Sequence, residues 1–486
     1  MARLLGIDVG TSGAKAVLID ESGAVLRQAS SPYELSTPQP RWAEQDPADW
    51  VRGVLECIAQ IGESSPDAIG LTGQMHGSVF LDKDGEVLAP AILWCDQRTG
   101  ADCREIEEAV GAERLVEITG NPAMTGFQLP KILWLRNNRR ELFDRLDKVL
   151  LPKDYVRLVL TGATASDVSD ASGTGLLDVQ KRDWSEEILK KLSLPPSWFP
   201  EVFESDEIVG ETREVEGLKS GVPVVAGAGD QAAGAVGSGA VSPGITSVSL
   251  GTSGVAFAPL AAPADRPGRT VHSFCHANRA WHAMGVMLSC GGAVAWARDL
   301  LYPDGGFDQM NQEAAAAPVG CDGLTFLPYL AGERCPHDDP SATGAFVGLT
   351  LRHGREHLAR AVFEGATFGV LDCLDQLKSC GADPAELRVV GGGASSDFWM
   401  QVLADASGLK CWRLSVDEGP ASGAAILAGV GLGIWPDTAQ ACQSLVSLDM
   451  SFEPKRADYS ESRDRYRTLY PALKTWIPPK TSATIG

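Results

Sequence analysis

The chain has 486 residues, 44% hydrophobic and 22% charged, ordinary proportions for a folded protein but too long for a single core, so two large domains are expected. A net charge of −21 argues against nucleic acid or an anionic membrane as the main partner; it leaves room for a phosphate ligand, which glycine-rich backbone and a metal ion can hold without a basic surface. No run is apolar enough to span a bilayer, the first residues lack a signal-peptide core, and the 11 cysteines, odd in number and without C-x-x-C spacing, read as free thiols, so a cytoplasmic protein is expected.

In chain order, "RLLGIDVG" (3–10) is a short apolar strand, and "AKAVLIDESGAVL" (14–26) reads as two strand-like runs around a hairpin turn. Between them "GTSG" (10–13) is a tight turn. "DPADWVRGVLECIAQIG" (46–62) predicts a helix with Asp46 as N-cap and Pro47 at its first position. In "GLTGQMHGSVFLD" (70–82), Gln74, Met75 and His76 sit in a glycine-flanked turn after a strand, a setting that favours a ligand contact over a structural histidine. "RWAEQDP" (41–47) and "LWCDQR" (93–98) receive no role. "VVAGAGDQAAGAVGSGAV" (224–241) reads as strand, glycine-rich turn and small-residue helix. Asp230 there is either the helix N-cap or a general base, and the two roles are compatible.

A boundary is expected in "GAVSPGIT" (239–246), dividing a domain 1–243 from a domain 244–477. Directly after it, "ITSVSLGTSGVAFAPL" (245–260) repeats the plan of the first hairpin, including a second "GTSG" at 251–254, about half the chain from the first. Matched flanks around a repeated turn indicate a duplicated unit. The copies differ two residues before the turn, where the first has Asp8 and the second Ser249. "REHLARAVFEGATFGVLDCLDQLKSCG" (355–381) predicts a long amphipathic helix ending at Gly381. "LRVVGGGASSDFWMQVLADASG" (387–408) is strand, three glycines and helix, open to a phosphate or a flat ligand but without the G-x-G-x-x-G fingerprint of a dinucleotide site. "EGPASGAAILAGVG" (418–431) is a second small-residue helix, suited to a pivot against its counterpart after Asp230 or to tight core packing alone. The last residues, 478–486, read as a loose tail.

Small residues let backbone N–H groups converge on an anion, and Thr and Ser hydroxyls add donors. Two such turns facing one another could clasp a polyphosphate, and the hard carboxylate of Asp8 suits Mg²⁺ at that place.

With these segments collected, the chain resembles the FGGY family of sugar kinases over nearly its whole length. The resemblance rests on "GIDVGTSGAKAVL", "RWAEQDPADW", "GLTGQMHG", "ILWCDQR", "LLPKDYVRLVLTG", "SDVSDASGTGLLDV", "GAGDQAAGAVG", "SLGTSGVAFA", "VHSFCHA", "FLPYLAGERCPHDDPSATGAFVGLT" and "VVGGGASSDFW". It implies an α/β protein of two ribonuclease-H-like domains, the actin/hexokinase ATPase fold, around a catalytic cleft. It also implies ATP-dependent phosphorylation of a sugar, D-xylulose before L-xylulose, ribulose, gluconate or glycerol. Members acting on glycerol carry Arg-Glu in place of Met75-His76. ATP phosphates would lie between Thr11 and Ser12 on one side and Gly251 and Thr252 on the other, with adenosine near Gly392, Gly393 and Ala394. Asp8 would serve the Mg²⁺ site, Asp230 would be the base, and Gln74, Met75, His76, Asp230 and Gln231 would line the sugar pocket. Gln231 stands where many members acting on D-xylulose have Asn. A non-kinase ATPase of the same fold is the alternative from another class. The expected partners are the sugar and ATP, with a homodimer as the candidate assembly.

Overall fold

The computed structural model describes residues 1–62, 65–215, 217–265, 267–415, 419–455 and 457–476. The expected tail, 478–486, lies outside the described residues. The described chain forms two seven-stranded mixed sheets with helices on their faces.

In the first sheet, β1 (Arg3–Val9) pairs antiparallel with β2 (Gly13–Asp20), and β2 antiparallel with β3 (Val25–Pro32). On its other edge β1 runs parallel to β4 (Ala68–Gly73), which runs parallel to β5 (Pro223–Val225). In the second sheet, β6 (Ile245–Leu250) is antiparallel to β7 (Gly254–Leu260), which is antiparallel to β9 (Trp281–Met287), and β9 to β8 (Val271–Cys275). β6 also runs parallel to β10 (Glu386–Val390), and β10 to β11 (Lys410–Leu414). Three antiparallel strands whose first member then pairs in parallel with a later pair is the ribonuclease-H-like arrangement, and it occurs twice. The duplication expected from the two hairpins is therefore one of whole sheets.

The central strands are apolar on both faces because both faces are covered. Leu5, Ile7 and Val9 pack with Trp50, Val54 and Ile58 of the helix Pro47–Ile61, whose N-cap Asp46 accepts from the Ala48 amide as expected. Leu4, Val17 and Ala68 face the opposite way, onto the helices Asp230–Ser238 and Pro420–Gly431. That second helix comes from the far end of the sequence yet lies on the first sheet. A Cβ on Gly6 would stand 1.8 Å from the Ala421 carbonyl oxygen, and one on Gly70 1.9 Å from that of Ala424. The helix Arg355–Ser379 covers the second sheet, with Phe363 and Phe368 in its core. Where the halves meet, Phe127 packs with Phe257, Phe274 and Met284. No helix among the described residues is long and apolar enough to cross a membrane.

Candidate active site

The site grows from strand register. Asp8 of β1 lies opposite Thr72 of β4, and Thr72 in turn pairs with Ala228 of a short strand, Ala228–Gly229, that opens directly into the helix at Asp230. Asp8 and Asp230 thus flank one strand at the carboxyl ends of the parallel strands, where α/β sheets bind ligands. Both side chains are partly exposed, and desolvation pushes Asp8 up to about 7, with the Asp230 charge adding and Lys15 opposing. The same cause raises Asp230 to about 6, against hydrogen bonds from Gln231. The inner oxygen of Asp8, Oδ1, is buried without a hydrogen-bond partner.

The N-cap of the following helix is Gly229, and Asp230 is its first residue. The N-cap reading of Asp230 is corrected here: no side chain caps this helix, so the position of that carboxylate is not explained by capping.

Each GTSG turn has its carbonyls tied inward. In the first, Gly10 O accepts from Tyr33 OH at 2.7 Å, Thr11 O from Gln45 Nε2 at 2.7 Å, and Ser12 O from the Tyr33 amide at 3.2 Å. In the second, Gly251 O accepts from the Gly291 amide at 2.7 Å and Thr252 O from the Cys290 amide at 2.9 Å. Ser12 and Thr252 are exposed, so their hydroxyls remain outward, whereas the Thr11 hydroxyl is taken by Gln74 and Trp94. Gly391–Gly393 abut the second turn, since a Cβ on Gly391 would lie 3.2 Å from the Gly251 nitrogen. Ala394 is buried beside them and its carbonyl accepts from Arg413.

The glycine-flanked turn divides its work. Gln74 is buried, its amide nitrogen donating to Gln45 Oε1 at 2.9 Å and its oxygen accepting from Thr11 Oγ1 at 3.1 Å, so it props the first GTSG turn. Met75 packs against Gly229, next to Asp230. His76 adopts φ +69°, its carbonyl held by Lys131 Nζ at 2.7 Å. Its ring stacks on Phe127 at 4.6 Å, and Nδ1 meets Gly173 O at 2.6 Å. A carbonyl only accepts, so Nδ1 carries the proton. Burial lowers His76 to about 3, which leaves Nε2 as a bare acceptor at neutral pH. A Cβ on Gly173 would sit 2.7 Å from the ring, so only glycine fits there. His76 lines a cavity of about 610 Å³ between the halves, together with Trp94, Phe127, His272, Glu333 and Arg334.

Two supports went unread in the sequence. Lys153, Asp154, Arg157, Asp167 and Asp170 are fully buried together. Lys153 Nζ lies 2.7 Å from Asp154, 2.8 Å from Asp167 and 3.4 Å from Asp170, and Asp167 accepts from Ser169 Oγ, which in turn accepts from the Gly229 amide. Burial drives Asp170 well above the usual carboxylate range, Lys153 opposes this, and Asp154, Asp167 and Asp230 push further upward. The signal available was a dense set of charges inside apolar "LLPKDYVRLVL". The unassigned segments also find a place: Arg98 lies 3.5 Å over the Trp42 ring and pairs with Glu44 at 2.7 Å and Asp96 at 2.6 Å, while Trp94 Nε1 donates to Thr11 Oγ1 at 3.0 Å.

Duplicated ribonuclease-H-like sheets, two glycine turns and a pair of partly buried acids at the strand ends define a phosphoryl-transferring class of enzyme. Two family models match: the N-terminal domain of the FGGY family of carbohydrate kinases over residues 3–237, and its C-terminal domain over residues 246–432. The chain belongs to the FGGY family of carbohydrate kinases. It is 42% identical to the xylulose kinase of Escherichia coli strain K12, covering 96% of this chain and 99% of that one. The crystal structure of a xyloylose kinase from Brucella ovis superposes with a TM-score of 0.92 at 39% identity, covering 98% of this chain and all of that one. The gluconate kinase structure from Lactobacillus acidophilus also gives 0.92, at 28% identity, over 98% of this chain and 99% of that one.

Proposed function

We propose that this protein transfers the γ-phosphoryl group of ATP to a hydroxyl of D-xylulose, giving D-xylulose 5-phosphate, with residues 1–243 and 244–477 as two lobes that close on the substrates. The observation that carries the reading is the alignment of Asp8 and Asp230 across β4, beside a cavity in which His76 is neutral. The 42% identity to a xylulose kinase supports the choice of sugar.

A sugar hydroxyl is a weak nucleophile at pH 7. Asp230 takes its proton as the oxygen attacks phosphorus, and an acid lifted to about 6 is still ionised at neutral pH while being more basic than a surface aspartate. His76 Nε2 accepts from a second sugar hydroxyl, and Met75 and Gln231 shape the wall around the reacting end. Thr11 and Ser12 from one lobe and Gly251 and Thr252 from the other face the phosphates, and Gly392, Gly393 and Ala394 face the adenosine. Asp8 fits a cation site, because its buried oxygen has no partner and its charge is costly without one. Mg²⁺ bound there would neutralise charge on the phosphate oxygens. Closure excludes water and so restrains ATP hydrolysis.

The test is ADP release with D-xylulose, L-xylulose, ribulose, gluconate and glycerol in turn. D-xylulose is expected to give the highest kcat/KM, with little turnover in the absence of sugar. Preference for gluconate would overturn the substrate, and sugar-independent ATP hydrolysis at the same rate would overturn the kinase reading.

A further inference from the structure

The segments "VHSFCHA" and "LAGERCPH" carry no role in the mechanism above, yet they meet in the cavity. Arg334 lines it from the second lobe, opposite His76. Among the described residues its guanidinium makes no ion pair. One N–H contact is recorded, from NH1 to His272 Nε2 at 3.3 Å. The neighbouring Glu333 does not neutralise it: Glu333 Oε1 is bound by the Leu288 and Arg334 amides, and burial raises that carboxyl to about 8. Arg334 is partly buried, and Asp338, also in the cavity lining, is the acid that acts most strongly on its charge but makes no ion pair with it among the described residues. A guanidinium has five N–H donors, most of which here have no acceptor among those residues.

Its aim is set by a chain of hydrogen bonds whose direction can be worked out. Asn121 Nδ2 donates to Thr119 O at 3.0 Å and Ser273 O at 2.9 Å, and two carbonyl partners fix which end of that amide is nitrogen. Asn121 Oδ1 therefore accepts, and His272 Nδ1, 3.0 Å away, carries the proton. His272 Nε2 is left as an acceptor, which orients Arg334. The His272 ring is clamped parallel to Phe274 at 5.5 Å and lies 6.1 Å from Phe127.

These contacts also order the wall. Pairwise contacts lead from Gly229, next to Asp230, through Met75 to its neighbour His76, then to Phe127, His272 and Arg334, and the last four line the cavity. A linear sugar whose reacting hydroxyl is at Asp230 therefore extends its other end toward the guanidinium.

We propose that Arg334 is a specificity-determining residue: aimed by Asn121 and His272, it donates to the carbonyl and hydroxyl oxygens at the end of the sugar remote from the phosphorylated hydroxyl. This rests on the ketose kinase reading. A bidentate donor suits the carbonyl and adjacent hydroxyl of a ketose, which a polyol or a deoxy sugar offers only in part.

The experiment compares wild type with R334Q and R334K, using D-xylulose and 1-deoxy-D-xylulose, and records KM for sugar and for ATP, kcat and melting temperature. R334Q is expected to raise KM for D-xylulose about 10- to 100-fold, the loss of a charged hydrogen bond, with KM for ATP within about twofold. The wild-type preference for D-xylulose over the 1-deoxy sugar should collapse toward parity in R334Q. R334K keeps charge and bulk, so it tests the same loss of discrimination should the Gln variant melt early. A folded R334Q or R334K with wild-type KM and undiminished discrimination overturns the proposal and leaves the kinase reading intact. Failure of the wild type to phosphorylate D-xylulose defeats the underlying reading instead.

Discussion

Asp230 is held under conditions that oppose its charge, so it should trade stability for activity. Its folded-state value of about 6 lies above the ordinary aspartate value of 3.8, so the native state binds this proton more tightly than the unfolded chain does. The destabilisation is absent well below pH 4, grows as pH rises through that interval, and is complete above about 6. D230N removes it. The ligand-free variant should be more stable than wild type at pH 8 by roughly 1–3 kcal/mol and gain about half as much at pH 5. Urea unfolding at the two pH values reads the difference directly, and an equal or opposite difference would count against a charged, desolvated Asp230. In the same preparation kcat should fall about 10²- to 10⁴-fold, the usual loss with a general base. Lys131 offers a second residue-scale case. Its Nζ holds the carbonyls of His76 and Gly126, each at 2.7 Å, and so fixes the left-handed turn that presents the imidazole. K131M should raise KM for the sugar while leaving KM for ATP within about twofold, because the ATP side is built on other elements.

At the scale of elements, the helices Asp230–Ser238 and Pro420–Gly431 occupy matching places after matching strands, and they cross with backbones nearly touching. A Cβ on Gly423 would lie 1.8 Å from the Ala233 carbonyl oxygen, whereas one on Gly234 would meet nothing nearer than Pro420 Cγ at 3.8 Å. G423A must push the helices apart and should cost about 1–3 kcal/mol, the range for overpacking. G234A, on the same pair, should be neutral or gain about 0.5–1 kcal/mol from helix propensity. If the pair is also the pivot of closure, G423A will lower kcat in addition to melting earlier. A variant that loses stability alone would assign the helices to packing only.

At the scale of the molecule, the cavity draws walls from both halves, His76 and Phe127 from one and His272 and Arg334 from the other. Sugar and nucleotide bound together should draw the halves in. The radius of gyration from X-ray scattering should fall when D-xylulose and a non-hydrolysable ATP analogue are both present, and by less with either alone. An unchanged radius with both would argue that the site is already closed and that water is excluded by other means.

What the sequence determined by itself was local and repeated. β-branched and apolar runs broken by GTSG, Asp46-Pro47 before a helix, and Gly381 after one are signals that act within a few residues, and they placed strands, turns and helix ends well. The same local patterns, with their family resemblance, singled out Asp8 and Asp230. Tertiary structure alone decided what those residues touch. Arg98 finds its stacking partner at Trp42, and Arg334 is aimed by His272, which is oriented by Asn121 some 151 residues earlier in the chain. The helix Pro420–Gly431 lies on the first sheet, against Gly6 and Gly70. Pairings across such separations depend on how two sheets and their helices close over one another, and no periodicity within a segment encodes that closure. Asp230 shows the division most plainly: its neighbours in sequence allowed both a cap and a base, and the fold put Gly229 at the cap and left the carboxylate partly buried at the strand ends beside Asp8.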